Sequence, residues 1–367
     1  MKSNMKRKLV LATIFIFPLG LVSIPGKTAA ADKVRLSFAT TSFAIWFNKM
    51  TLGVSKRKGG LGFYEDEGLD VVITGAPGSS AVVKLAGAGK IDVTGPAGYV
   101  TLITGVDKGL PITTPWIETR QNIFFVVVPE SSKFMTMRDL KGKTIGVYSM
   151  GSDGVPMAKA MAQDAGLNPK TDISVAPIGL GAQAVNAIKS GQVVGGSYWD
   201  TGIAMMEVLG LKFRYITTPG VAKAAYSSGF LANTNFLKNK RSVAVRFFRA
   251  IAKSDVFLQT NPEASVKIHW KLYPISKPKT GDPAKNLRGQ THIVKARIRN
   301  AKKLEDKSIK FGWMDKKIWQ DTVNFYHKMG MIKSNVPVEK IFTNDFIDEG
   351  NNFDHEKVIQ MAKDWKE

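Results

Sequence analysis

Two stretches of this chain build the same local unit, and that duplication limits the folds open to it. In Pro77 to Gly98, PGSSAVVKLAGAGKIDVTGPAG, Gly78 and Ser79-Ser80 have the composition of a helix start. Val82, Val83, Leu85 and Ala86 give an apolar face at helical spacing, and Gly87 and Gly89 stop the helix. Ile91-Asp92-Val93 then opens a strand that Gly95-Pro96-Ala97-Gly98 breaks. Further on, Gln183-Ala184-Val185 takes the place of Ala81-Val82-Val83. Gly191-Gln192-Val193-Val194 takes that of Gly89-Lys90-Ile91-Asp92, and Gly196-Ser197 follows. Each copy brings a helix N-terminus and a strand end to one side of a sheet. Open α/β sheets place ligands there, and helix starts attract anions.

The flanking sequence extends the duplication. Val34 to Ala39 alternates as a strand, ended by Thr40-Thr41-Ser42, and a helix is expected from Phe43 to Val54. Gly68-Leu69 before Val71-Val72-Ile73 is matched by Gly166-Leu167 before Ile173-Ser174-Val175, and Thr144 to Val147 opens the second half. Strand–helix–strand–helix–strand thus occurs twice, which predicts two α/β lobes with largely parallel sheets. Leu110 to Thr114 and Asn122 to Val128 read as further strands, with Trp116 and Arg120 on a loop between them. Ser228 to Ala232 reads as a strand crossing back to the first lobe. The remainder reads as helical: an amphipathic helix over Ser242 to Thr260, a packed helix around Trp319, and a helical tail from Phe353. Lys277 to Lys310, basic and poor in apolar residues, reads as a surface excursion.

Lys2, Lys6, Arg7 and Lys8, an apolar run from Leu9 to Val22 and Ala29-Ala30-Ala31 have the layout of a cleavable secretory leader, which predicts a periplasmic protein. The +22 net charge falls to +17 without the five basic residues and no acid before Asp32. There is no groove-reading motif to go with that charge, so nucleic acid is not expected as a partner. The absence of cysteine removes disulfides, thiol nucleophiles and an N-terminal lipid anchor. No G-x-S-x-G elbow occurs. The four histidines, His269, His292, His327 and His355, lack metal-ligand spacing and read as solvated or capping residues. No catalytic residue, metal ligand or cofactor is expected.

The ordered set GFYEDEGLDVVI, GSSAVVKLAGAGKIDVTGPA, MRDLKGKTIGV, AGL and AIKSGQVVGGSYWD resembles the nitrate/sulfonate/taurine family of substrate-binding proteins of ABC importers. The thiamine-pyrimidine-precursor binding proteins share the pattern. The resemblance covers Val34 to Ala232. It implies the type II periplasmic-binding-protein fold, two α/β lobes joined by a hinge with a ligand cleft between them. It also implies a small-molecule ligand, a membrane permease and a cytoplasmic ATPase as partners. Segments 32–125 plus 226–367 would form the first lobe with a helical extension, and 126–225 the second, after a leader at 1–31. The chain would act as a monomer.

By position, first-lobe ligand contacts are expected from Thr40, Thr41, Ser42, Trp46, Ser79, Ser80, Gly95, Pro96 and Ala97. Second-lobe contacts are expected from Ser149, Gly151, Ser152, Tyr198, Trp199 and Asp200. Hydroxyls and N–H groups at helix starts suit a carboxylate, sulfonate or nitrate, and aromatic rings suit an organic body. The expected ligand is therefore a small anionic organic solute, with a pyrimidine or thiamine precursor as the alternative. An enzyme on the same fold is the more distant reading, because the pyrimidine-making relatives depend on cysteines and a lobe histidine that this chain lacks.

Overall fold

The computed structural model describes residues 34–367 except 41–43, 77 and 225. The leader expected at 1–31 and the candidate contacts Thr41 and Ser42 lie outside the described residues. Ten strands are assigned among the described residues: β1 (Val34–Thr40), β2 (Leu69–Gly75), β3 (Val93–Gly98), β4 (Ile112–Ile117), β5 (Phe124–Pro129), β6 (Lys143–Val147), β7 (Ile173–Pro177), β8 (Gly196–Trp199), β9 (Phe213–Ile216) and β10 (Ser228–Asn233). They form two five-stranded sheets, ordered β2-β1-β3-β10-β4 and β7-β6-β8-β5-β9. β1 is parallel to β2 and β3, and β6 is parallel to β7 and β8. In each sheet one strand, β10 or β5, runs antiparallel to both its neighbours. The two sheets are therefore one pattern built twice, as the duplicated sequence unit requires.

The helix of each unit also recurs, as Ser79–Gly87 between β2 and β3 and as Ala182–Lys189 between β7 and β8. Val82, Val83 and Ala86 of the first, and Ala184, Val185 and Ile188 of the second, are buried, which is why each helix lies on its sheet. The chain crosses between sheets twice, at 118–123 and 217–227. The crossings are tied by Ser227, whose Oγ accepts from the Ile123 N–H (3.2 Å) and donates to Asn122 Oδ1 (2.9 Å). The result is two α/β lobes on a two-stranded hinge.

Four sequence readings change. The helix expected over Phe43 to Val54 is a 3-10 turn at Ile45–Phe47 followed by a short helix, Asn48–Leu52. Trp116 lies in β4, fully buried and stacked on Phe248 with ring centroids 5.3 Å apart. The sequence reading ends this strand at Thr114, and Pro115 hides its continuation to Ile117. The proline falls where the β4–β10 register shifts, and a strand accepts proline at such an irregularity. The stretch from Lys277 to Lys310 holds an 18-residue helix, Pro283–Asn300, that buries Ile293, Val294, Ala296 and Arg297. This helix packs on the Asp200–Val208 helix of the second lobe, where Gly289 faces the Val208 side chain and His292 Nε2 is 3.4 Å from Glu207. His269 is also buried, with Nδ1 3.1 Å from Thr51 Oγ1, and is not solvated. The Arg241–Thr260 helix and the His355–Asp364 tail helix form where expected.

Among the described residues no helix is long and apolar enough to cross a membrane, and no group of three or more His, Cys, Asp or Glu could hold a metal ion.

Candidate ligand cleft

The carboxyl ends of β3, β6 and β8 and the start of the Ser79–Gly87 helix open onto one cleft between the sheets. Its volume is about 80 Å³. A single water needs roughly 10–15 Å³, so the cleft has room for a small ligand.

Its walls are aromatic. Trp46 comes from the Ile45–Phe47 turn of the first lobe and Trp199 from the end of β8 in the second. They meet edge to face, with centroids 5.7 Å apart. Tyr148, at the end of β6, meets Trp199 edge to face at 5.7 Å, and Phe47 and Leu180 complete the apolar lining.

The polar lining comes from strand ends and helix starts. The Ser79 hydroxyl accepts from the Gly98 N–H at 3.1 Å. The Ser152 hydroxyl donates to the Ser149 carbonyl at 2.8 Å, closing the turn after β6. Ser228 Oγ donates to Glu118 Oε2 at 3.4 Å. Asp153, 2% exposed, also lines the cleft. Burial pushes its carboxyl up to about 7, with Thr101 at the start of the Tyr99–Asp107 helix pulling the other way.

Arg297 reaches the same lining from the Pro283–Asn300 helix, but its charge is already engaged. Its Nη2 is 2.8 Å from Asp200 Oδ1 and its Nη1 is 2.5 Å from Glu118 Oε2. Asn300 Nδ2 donates to Asp200 Oδ2 at 2.8 Å. Glu118 in turn faces Lys49 Nζ at 3.6 Å, and Lys49 pairs with Asp255 at 2.6 Å. Burial works against the Arg297 charge, yet Asp200 and Glu118 outweigh it and hold the guanidinium more firmly protonated than usual. Burial likewise raises the Asp255 carboxyl, which Lys49 opposes.

Of the residues expected from sequence, Trp46, Ser79, Pro96, Ser152 and Trp199 line the cleft together. Ser80 stands at its edge and donates from Oγ to the Gly151 carbonyl at 3.2 Å, a bond from one lobe to the other. Thr40 is buried at the end of β1, where its carbonyl accepts from the Ala76 N–H. Gly95, joined to Pro96 by a cis peptide bond, has φ +144°. A Cβ there would press on the Gly229 carbonyl, so it is needed for the approach of β10. Ala97 is buried in β3 opposite Gly229. Ser149 supplies its carbonyl to the turn. Tyr198 is buried away from the cleft, its hydroxyl donating to the Gly179 carbonyl at 2.6 Å. Asp200 is held by Arg297 and Asn300. Trp116 and Arg120 do not line the cleft. Arg120 donates to the Trp313 carbonyl at 2.9 Å and lies over its ring.

Sequence reasoning did not single out Tyr148, Asp153, Ser228 or Arg297. Tyr148 has the same strand-end position that pointed to Ser149. Arg297 carried no signal, because its partners are far away in the chain.

Two α/β lobes, each with one antiparallel strand in a parallel sheet, and a cleft at the hinge define the periplasmic-binding-protein fold. The model of the NMT1/THI5-like family matches residues 52–265, and the chain belongs to that family. A Brucella abortus protein named as a binding protein is 27% identical over 296 residues, 78% of this chain and 85% of its own. A solved protein of Bordetella bronchiseptica is similar with a TM-score of 0.65 at 20% identity, covering 91% of this chain and 99% of its own. The alkanesulfonate-binding protein SsuA of Xanthomonas axonopodis, solved with MOPS, has a TM-score of 0.59 at 17% identity over 85% and 99%. The desulfurization enzyme DSZB shares the fold at 0.53 and 13% identity over 87% and 99%.

Proposed function

We propose that this chain is an extracytoplasmic solute receptor. It takes a small organic ligand into the cleft, closes on it, and delivers it to the membrane permease of an ABC importer driven by a cytoplasmic ATPase. It performs no chemistry on the ligand and works as a monomer in the periplasm. The lobes are assigned to 32–125 plus 226–367 and to 126–225. Sheet membership supports that division, since Phe124–Ile216 supplies every assigned strand of the second sheet.

The observation that carries the reading is the meeting of Trp46 and Trp199 from opposite lobes over one cavity. Rings placed so are an apolar wall for a flat ligand, and their separation changes when the lobes open. Titration followed by tryptophan fluorescence and by thermal shift tests it. The screen covers sulfonates, taurine, nitrate, aromatic carboxylates, amines and pyrimidines. A true ligand at a hundred times its Kd stabilises by about 2.7 kcal/mol and is recovered unchanged by mass spectrometry. A ligand recovered as a product would instead make the chain an enzyme.

A further inference from the structure

Asp153 is an acid in the cleft wall that no cation answers. Thr101 is the donor near its carboxylate, but the Thr101 hydroxyl bonds the Gly98 carbonyl at 2.9 Å, and neither carboxylate oxygen makes a well-formed hydrogen bond, although the residue is nearly fully buried. Buried charged oxygens are normally paired, and an unpaired one in the wall of a cavity marks where a ligand donor fits. The position is kept open from the opposite lobe: Gly98 faces it, and a Cβ there would overlap the carboxylate. Arg297 is the cation that lines the cleft among the described residues, and its guanidinium is taken by Asp200 and Glu118. Ser152 and Ser228 give their hydroxyl protons to the Ser149 carbonyl and to Glu118, so what they offer a ligand is acceptor oxygen. Trp46, Tyr148 and Trp199 surround this acceptor-rich floor with rings whose faces attract positive charge.

We propose that the cleft takes a small organic cation, an ammonium or amidinium group on a flat apolar body, with its N–H donors on the Asp153 carboxylate. This rests on the reading of the chain as a solute receptor, and it turns the ligand class away from the anion expected from sequence. An anionic head group in this cleft would lie against a buried carboxylate, where low dielectric magnifies repulsion. A cation there restores the carboxylate's missing partners and stacks on the rings.

Isothermal titration of the full chain at pH 8 tests the class with four probes on one ring: benzamidine, benzylamine, benzyl alcohol and benzoate. The two cations are expected to bind at least tenfold more tightly than benzoate. Asp153→Asn, which removes the charge at constant volume, should abolish that preference. The ranking on the unaltered chain needs no variant to fold. Benzoate binding more tightly than both cations overturns the cation class and leaves the receptor reading standing. A cation preference that survives in Asp153→Asn overturns the role of Asp153. Binding by none of the four, with no thermal shift across the wider screen, overturns the receptor reading and this inference with it.

Discussion

Asp153 gives the fold a pH dependence opposite in sign to that of a salt-bridged acid. Its carboxyl titrates at about 7 in the fold against an ordinary 3.8, because burial disfavours the charged form. The folded state therefore holds a proton that the unfolded chain has lost. The contribution is fully present below pH 4, falls away as pH rises to about 7, and is flat above. Three pKa units correspond to about 4 kcal/mol as an upper bound. The Tyr326 phenol and the Thr101 hydroxyl are the groups that act on it or feel it. Asp153→Asn is expected to match the parent near pH 4 and to exceed it in stability by up to about 4 kcal/mol at pH 8, read from urea denaturation at each pH. A stability difference that does not change with pH would show that the carboxyl is not buried. Gly98→Ala should cost about 1–3 kcal/mol or drive the carboxylate out of its place, since an added methyl meets it head-on. None of this was visible in Gly151-Ser152-Asp153-Gly154, where an aspartate before a helix reads as an ordinary cap. The side chain makes no cap bond and points toward Gly98 in the other lobe instead.

At the scale of elements, the Pro283–Asn300 helix straps the lobes together. It comes from the extension after β10, packs along the Asp200–Val208 helix, and pins Asp200 and Glu118 through Arg297. Removing one member of a buried charge cluster leaves its partners uncompensated, which costs about 3–5 kcal/mol. Arg297→Ala is accordingly expected to lower unfolding free energy by about that amount in guanidinium titration. A loss under about 1 kcal/mol would mean the cluster is solvated. The strap was illegible in sequence for a physical reason: the centre of its buried face is an arginine, so its apolar stripe is too thin to signal a core helix. The lobe pattern was legible because its signals are local. Glycine stops, small apolar faces and strand starts recur in both halves, and β1, β2 and β3 answer to β6, β7 and β8. Which strand ends share a cleft followed from that topology. Which acid there goes unpaired did not, because it depends on contacts between residues more than fifty positions apart.

For the whole molecule, opening the cleft must break the Ser80–Gly151 bond, separate Trp46 from Trp199, and either break the Arg297 bridge or carry the strap along with the second lobe. Weakening the bridge should favour the open form. Small-angle scattering of ligand-free Arg297→Lys is expected to give a larger radius of gyration than the parent, and saturating ligand should bring both to the same value. Equal radii without ligand would mean that the strap does not govern closure. The strand order also sets a schedule for synthesis. The second sheet is contiguous in the chain and can be assembled once Ile216 has emerged. The first sheet lacks its interior strand, between β3 and β4, until Asn233 follows. The half made first must therefore wait for the half made second. Hydrogen exchange on a chain ending at residue 227 should protect β5 to β9 and leave β4, whose one sheet neighbour is β10, unprotected. A protein with this schedule stays incomplete along its leading segment for most of its synthesis, the condition in which a chain can still be threaded through a narrow pore.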